Sequence, residues 1–457
     1  MPSRETLLAA LRTPYALLTA AYFLLRLNAF AGVEPKRYRD TDTYLDVARE
    51  SLFSLDFLAG ARSWTVPLLY KVMPEGDKWL ALGQFALSVG CWLALAGVVA
   101  WCVRPGAYRL VAFALILVFS MAFPIIQWDT VILTESVSIS LTVAVVAAWL
   151  ALVRAPGPPT VAAVLATTLF WVFARDTNAF LALITVPLVG LWLLRPGARA
   201  SRVALLGGLC AIVALGFLST TTENAQLRRE ERPMLHVVGE RILPDTDKRD
   251  YFVDHGMPEP TPRVLANRHR LAGLGNGVAS DPASDEFLEW VRDHGRSTLA
   301  GYLATHPYDT VRPVVGERAR LVNVISGYRS GDSRTILPAT IAEFIYPGTF
   351  QAVFFWLVVI GLGAALVAAR ARPQPVWIVP LVALALQIPH ALVVWHGDTL
   401  EVPRHGLLVA VLLRLSLLLL ALFAIDALLE RLRPRPASTD VRLPAQERTP
   451  ILSSRPG

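Results

Sequence analysis

The sequence predicts an all-α polytopic membrane protein, and three observations carry that prediction. More than half of the 457 residues are hydrophobic (54%), and the mean hydropathy is +0.47. Only 17% are charged, against about 25% in soluble domains. The apolar runs are too long and too numerous to be soluble cores.

Ten spans are expected, at about 9–30, 79–103, 109–127, 132–153, 160–175, 178–194, 203–219, 348–369, 376–395 and 406–428. The first has Arg4 and Arg12 ahead of it, like a signal peptide. No small-residue cleavage site follows, and its core continues through Arg26 to Phe30, so it reads as an uncleaved helix. The fifth and sixth are short and joined by "ARDTNA" (174–179), a tight hairpin. Four regions follow: a membrane domain at 1–219, a helical extracytoplasmic domain at 220–347 between the seventh and eighth helices, three membrane helices at 348–430, and a Pro/Arg/Ser-rich disordered tail at 431–457.

Short loops set the orientation. Arg104, Arg109, Arg154, Arg195, Arg199, Arg202, Arg370 and Arg372 fall on one side, with Arg431, Arg433 and Arg435 in the tail. The positive-inside rule makes that side cytoplasmic and puts both termini there, in a multi-pass protein of the cell membrane. The net charge of +7 is then a topology signal and implies no nucleic-acid partner. Cys91, Cys102 and Cys210 fall in predicted helices, so the large outer segment is no disulfide scaffold. No zinc spacing, Walker loop or internal repeat is present.

The cytoplasmic connections are bare turns. The opposite face carries "YRDTDTYLDVA" (38–48), "QWDTVILTES" (127–136), "ARDTNA", "HGDTLEVPRH" (396–405) and the long polar segment. All eight histidines lie after residue 235. Function is therefore expected on the outer face. Within 220–347, "SDEFLEWVRDHG" reads as a helix stopped by Gly295, and "DKRDYFVDHGMP" as one stopped by Gly256.

Three carboxylates crowd the first outer loop. Helix capping is one reading, with Asp40 or Thr41 as the cap, acids suited to the first turn, and Tyr44, Leu45 and Ala48 of the ensuing helix turned to the bilayer. Capping explains one carboxylate more easily than two, which leaves the other for chemistry. Glu135 enters the fourth span, where a carboxylate costs a few kcal/mol on insertion scales and marks a functional group or a partner. Asp129, Arg175, Asp176, Asp398, Glu401, Arg404 and His405 lie at a similar depth. Arg175 and Asp176 also fit a simple surface ion pair. His396 and Asp398 are the candidate ligands should a divalent metal (Mg or Mn) be present; no other cofactor is implied.

"DTDTYLDVA" resembles the Asp-x-x-x-Tyr element in the first outer loop of GT-C class glycosyltransferases, such as aminoarabinose transferases and protein mannosyltransferases. "WDTVILTESVSISL" resembles the class's later outer motif, and "HGDTLEVPRHGLL" the charged loop before the last helix. Many members place Asp-Glu together where this chain has Asp40-Thr41-Asp42. The resemblance implies a GT-C-like membrane fold and an outer active site that moves a sugar from a polyprenyl-phosphate carrier to an acceptor hydroxyl. Asp40, four residues before Tyr44, would be the base, with Asp42 the second choice or a metal or acceptor contact, Glu135 a further catalytic acid, and Asp46 structural. Developing phosphate charge needs cations. Arg26, Lys36, Arg37, Arg39, Arg175 and Arg404 supply them, with Arg414 inside the bilayer in need of a partner. Tyr44, Asp129, Asp176, Glu401 and His405 complete the expected substrate contacts.

Two other classes remain open. A lipid-linked polysaccharide polymerase or ligase would rely on outer arginine and histidine and leave Asp40 dispensable. A transporter should show repeated halves and broken helices at the midplane.

Overall fold

The computed structural model describes residues 13–193, 199–227, 231–271, 282–323, 334–371, 373–397, 399 and 401–432. The expected tail from residue 433 and Asp398 lie outside them. The described residues are helical, joined by turns and one isolated parallel bridge, Lys36–Val131.

Helix α1 (Pro14–Phe30) starts where the Thr13 hydroxyl accepts from the Ala16 amide and Pro14 fills the first helical position. Helix α2 (Thr41–Arg49) and α3 (Thr65–Val72) precede α4 (Asp77–Cys102). Helices α5 (Ala107–Ser120), α6 (Thr134–Arg154), α7 (Pro158–Val172), α8 (Asp176–Leu193) and α9 (Arg199–Leu227) follow. The segment before the last three long helices is also helical, with α10 (Glu231–Val237), α11 (Thr246–Asp254), α12 (Pro282–Thr305), α13 (Pro307–Gly316), α14 (Arg318–Val322) and α15 (Ala339–Ile345). Helices α16 (Phe350–Arg370), α17 (Ile378–Gly397) and α18 (Leu407–Leu432) end the described chain.

Six of these stretches are long and apolar enough to cross a membrane: Asp77–Cys102, Thr134–Arg154, Ala200–Thr220, Phe350–Arg370, Pro375–Gly397 and Val402–Leu432. They make the chain multi-pass, fewer in number than the ten expected spans. The span expected at 109–127 is a bent pair, Ala107–Ser120 and Phe123–Thr130, turned by 58°. Pro124 has no amide to offer the Ser120 carbonyl four residues back, and that carbonyl instead accepts from Arg26 Nη1 at 3.0 Å. Pro158–Val172 and Asp176–Leu191 are shorter apolar helices, joined as the expected hairpin, and α1 has 17 residues.

Burial sorts centre from rim. The most apolar windows of α6 and of Val402–Leu432 are 72% and 83% buried, whereas that of α16 is 11% buried. Helix α16 therefore turns Phe354, Phe355, Leu362 and Leu366 outward, as a helix facing lipid does. Asp426 fixes the far end of α18: its carboxylate accepts from the Arg104 amide at 3.1 Å and from Gln374 Nε2 at 3.3 Å. The helix that follows Arg404 is thus held at both ends.

Segment 220–347 has an apolar cluster of its own, built on Met234, Val238, Phe252, Phe287, Val291 and Tyr302. Gly256 ends α11 as expected, at φ +94°. Gly295 does not stop α12, which runs through it to Thr305. A Cβ there would sit 3.3 Å from the Met234 side chain, so this glycine permits close packing instead of a helix end. Tyr44 and Ala48 also depart from expectation: both are buried, because α2 packs on α3 and not on lipid.

Candidate active site

Two loops distant in sequence are zipped together by backbone. The Lys36 amide donates to the Thr130 carbonyl at 2.8 Å, and the Ile132 amide to the Lys36 carbonyl at 3.0 Å. Thr41 Oγ1 accepts from the Tyr38 amide (2.9 Å) and donates to the Ile132 carbonyl (2.7 Å). From the other side buried Gln84 donates to the carbonyls of Val131 and Asp129 at 2.9 and 3.2 Å. These bonds satisfy polar backbone in an apolar setting. They also set the start of α2, with Asp40, beside the start of α6, with Glu135.

Asp40 occupies the N-cap position of α2, yet its side chain makes no capping bond. Its carboxylate faces two guanidinium groups instead: Arg62 Nη2 lies 3.0 Å from Oδ1 and Arg404 Nη2 3.3 Å from Oδ2. Arg404 also lies 2.5 Å from Glu401 and 3.6 Å from Glu135. Glu135 is 1% exposed and Arg404 9%, so this pairing is desolvated and removal of one partner would leave a buried charge. Burial alone would raise the Asp40 pKa, but Arg62 and Arg404 outweigh it and hold the carboxyl below the usual carboxylate range. Asp40 is therefore ionised at neutral pH.

The surroundings fix these groups in place. Arg62 donates from Nε to Thr43 Oγ1 at 2.7 Å and lies 4.7 Å over the Tyr44 ring. The turn Val402–His405 carries Arg404 and packs on α14. Gly406 allows this, since a Cβ there would meet the Leu321 carbonyl at 2.9 Å. Arg175 follows α7 near Glu135, Arg404 and Tyr44 in its electrostatic neighbourhood. One of its buried terminal nitrogens makes no hydrogen bond among the described residues. His405 senses Arg175 and Arg404 in turn.

The other expected residues lie elsewhere. Asp42 is exposed and 3.5 Å from Arg37, which also binds Asp77; Arg39 is exposed, and Asp46 pairs with Arg49 at 2.9 Å. Asp129 and Arg26 form a buried pair at 2.5 Å, completed by Ser88, Tyr22, Ser120 and Ser136. Asp176 accepts from Ser63 at 2.8 Å. Arg414 is fully buried, and the partner it needs is backbone: it donates to the carbonyls of Pro347, Ala410 and Val322 at 2.6–2.9 Å and lies 4.6 Å from the Tyr346 ring. His396 donates from Nε2 to the Thr310 carbonyl at 2.9 Å.

Among the described residues no three His, Cys, Asp or Glu side chains lie close enough together to hold a metal. The three carboxylates that do converge, Asp40, Glu135 and Glu401, close on a guanidinium. That arrangement, with a cation already at its centre, does not fit a divalent metal. Arg62 was not among the expected cations. No local signal marks it: between Arg49 and Lys71 it reads as an ordinary loop arginine.

No protein-family model matches the chain, and no curated protein does. Among solved structures it is similar to the archaeal oligosaccharyltransferase AglB from Archaeoglobus fulgidus, solved in complex with an inhibitory peptide and a dolichol-phosphate, at 14% identity and a TM-score of 0.44. The similarity covers 91% of this chain and 50% of that one, so the chain spans about half the length of that structure.

Proposed function

We propose that the chain is a membrane glycosyltransferase of GT-C type, which moves a sugar from a polyprenyl-phosphate carrier to a hydroxyl on the extracytoplasmic side. The observation that carries this reading is the meeting of Asp40, Glu135 and Arg404, from three distant segments, with Arg62 and Arg175 beside them. A carboxylate held among arginines suits an anionic leaving group next to a weak nucleophile.

The steps balance without a further reagent. The acceptor hydroxyl gives its proton to an Asp40 oxygen as its own oxygen bonds to the anomeric carbon. The bond from that carbon to the phosphate oxygen breaks, and the lipid phosphate leaves with the electron pair. Arg404, Arg62 and Arg175 receive that charge, since guanidinium forks match phosphate oxygens. A carboxylate with a depressed pKa is a weak base. An arriving phosphate draws the guanidinium groups toward itself, and Asp40 regains basicity at that moment. Glu135 holds Arg404 in place throughout.

The test follows sugar transfer from radiolabelled polyprenyl-phosphate sugars in membranes carrying each variant at equal abundance. Asp40→Asn should lower transfer by about 10²–10⁴, the usual contribution of a general base, and keep donor binding. Asp42→Asn should act mildly. Full activity of Asp40→Asn would remove the catalytic role and leave the polymerase or ligase alternative ahead.

A further inference from the structure

Between α2 and α3 the chain runs through "SLFSLDFL" (51–58), with a one-turn helix at Leu55–Leu58. Phe53 is 92% exposed and Leu55 71%, and Leu52 and Leu58 are exposed as well, whereas Phe57 turns inward and is buried. Large apolar side chains gathered at one exposed tip mark an interaction surface. We propose that this tip inserts into the lipid leaflet at the adjoining end of the membrane helices and anchors the loop there.

The position of the tip selects lipid as the partner. The Ser219 hydroxyl donates to the Leu58 carbonyl at 3.3 Å, and Ser219 lies at the end of the apolar stretch Ala200–Thr220. The most apolar window of that stretch is only 28% buried, and Leu215 and Leu218, just before Ser219, are exposed, as on a helix facing lipid. On the other side Thr65 donates to the carbonyls of Phe170 and Phe173 at 2.9 and 3.2 Å, where apolar sequence gives way to Arg175 and Asp176. Trp64 packs on the same two rings, with centroids 5.6 and 5.1 Å away, and Trp is favoured at membrane–water interfaces. The tip therefore continues a lipid-facing surface at the depth where two apolar helices end.

Its backbone suits a leaflet. The Ser54 amide donates to the Ser51 carbonyl at 2.9 Å and the Phe57 amide to the Ser54 hydroxyl at 3.2 Å. The Leu58 and Ala59 amides donate to the Ser54 and Leu55 carbonyls at 3.1 and 2.8 Å. Apolar surroundings demand such internal pairing. Asp56 is the one ionisable side chain in residues 51–61 and is exposed, which keeps the seat shallow, about 5–10 Å into the boundary between headgroups and acyl chains. Gly60, where a Cβ would collide with the Asp56 carbonyl, lets the chain turn back from the tip. Two residues on, Arg62 meets Asp40 at 3.0 Å. Anchoring thus holds a guanidinium group of the candidate site near the lipid surface, and the anchor itself does not depend on the reaction.

The test is spin labelling of the full chain with Cys91, Cys102 and Cys210 replaced, one chain per phosphatidylcholine nanodisc. Labels go on Phe53→Cys and Leu55→Cys, on Phe354→Cys of α16 as the lipid-facing control, and on Glu259→Cys as the aqueous one. Relaxation by oxygen, which concentrates in lipid, is compared with relaxation by a water-soluble nickel chelate. Positions 53 and 55 should favour oxygen as position 354 does, and position 259 should favour nickel. With Phe53→Asp and Leu55→Asp together, a label on Leu52→Cys should shift from oxygen toward nickel. Nickel access at 53 and 55 equal to that at 259 would put the tip in water and overturn the proposal. Poor access of both reagents would mean that protein covers the tip, and an unchanged label at 52 in the double variant would mean that these side chains are not what holds it down; either result overturns it too.

Discussion

Arg404 holds the Asp40 carboxylate at 3.3 Å across 364 residues of chain, and Arg62 holds its other oxygen at 3.0 Å. Asp40, Glu135 and Glu401 are therefore joined through Arg62 and Arg404, with Arg175 and Asp176 beside them. In such a set each charge keeps a partner when one contact is given up, which an isolated buried pair does not.

The pH dependence follows from the depressed Asp40 pKa. A carboxyl with a folded pKa below its unfolded value of about 4 adds stability that is fully present above that value and is lost as pH falls through the folded one. The acid limb of kcat/KM due to free-enzyme Asp40 should accordingly lie below about pH 4. Arg62→Met removes one of the two lowering charges and should move the limb upward. An acid limb at the same pH in both proteins would show that Asp40 is not the titrating base.

Arg404→Met should be costly in two ways. It leaves buried Glu135 without its direct ion-pair partner, with Arg175 the remaining nearby cation, which destabilises by up to about 3–5 kcal/mol, read as a lower unfolding temperature in detergent. It should also weaken donor-lipid binding. Glu135→Gln added to Arg404→Met removes the orphan charge and should recover stability without recovering binding. Recovery of both would mean that Arg404 serves only to neutralise Glu135.

The sidedness implied by the arginine loops is open to labelling. In a chain with Cys91, Cys102 and Cys210 replaced, Glu259→Cys in segment 220–347 should react with an impermeant thiol reagent applied outside intact cells. Ala155→Cys, in the turn between α6 and α7, should react only after permeabilisation. The reverse pattern would put the Arg404 cluster on the cytoplasmic face and end the polyprenyl-phosphate reading.

Which residues could be read from sequence depended on the range of the interaction. The multi-pass class and the helical segment 220–347 are legible because hydropathy and capping are local. The grouping of Asp40, Glu135 and Arg404 was legible because intramembrane charges need partners and all three sat at one depth. Arg62 was not, since nothing local separates it from a solvated loop arginine; only the docking of α2 on α3 brings it to Asp40. The bend at Met121 was hidden for a similar reason. Pro124 announces a break, but the compensating donor, Arg26, lies 94 residues away in chain. Gly295 misled because a glycine at a close packing contact and a glycine at a helix end look alike in sequence.

Arg414 separates a structural from a lipid-binding cation. Its expected partner was a carboxylate or a phosphate, whereas its nitrogens donate to the Pro347, Val322 and Ala410 carbonyls. Those contacts tie α18 to the end of α14 and to the residues just after α15. A single ammonium cannot reproduce this planar fork, so Arg414→Lys should lower the unfolding temperature nearly as much as Arg414→Met does. The loss should be of the order of 3 kcal/mol, because buried carbonyls lose their donors. Donor-lipid affinity of the folded fraction should stay unchanged in both, since Arg404, Arg62 and Arg175 remain. Direct binding of a polyprenyl-phosphate analogue to each purified variant, alongside thermal unfolding, makes the distinction. Undiminished stability with lost lipid binding would assign Arg414 to the phosphate after all, and would require the carbonyl contacts to open when lipid enters.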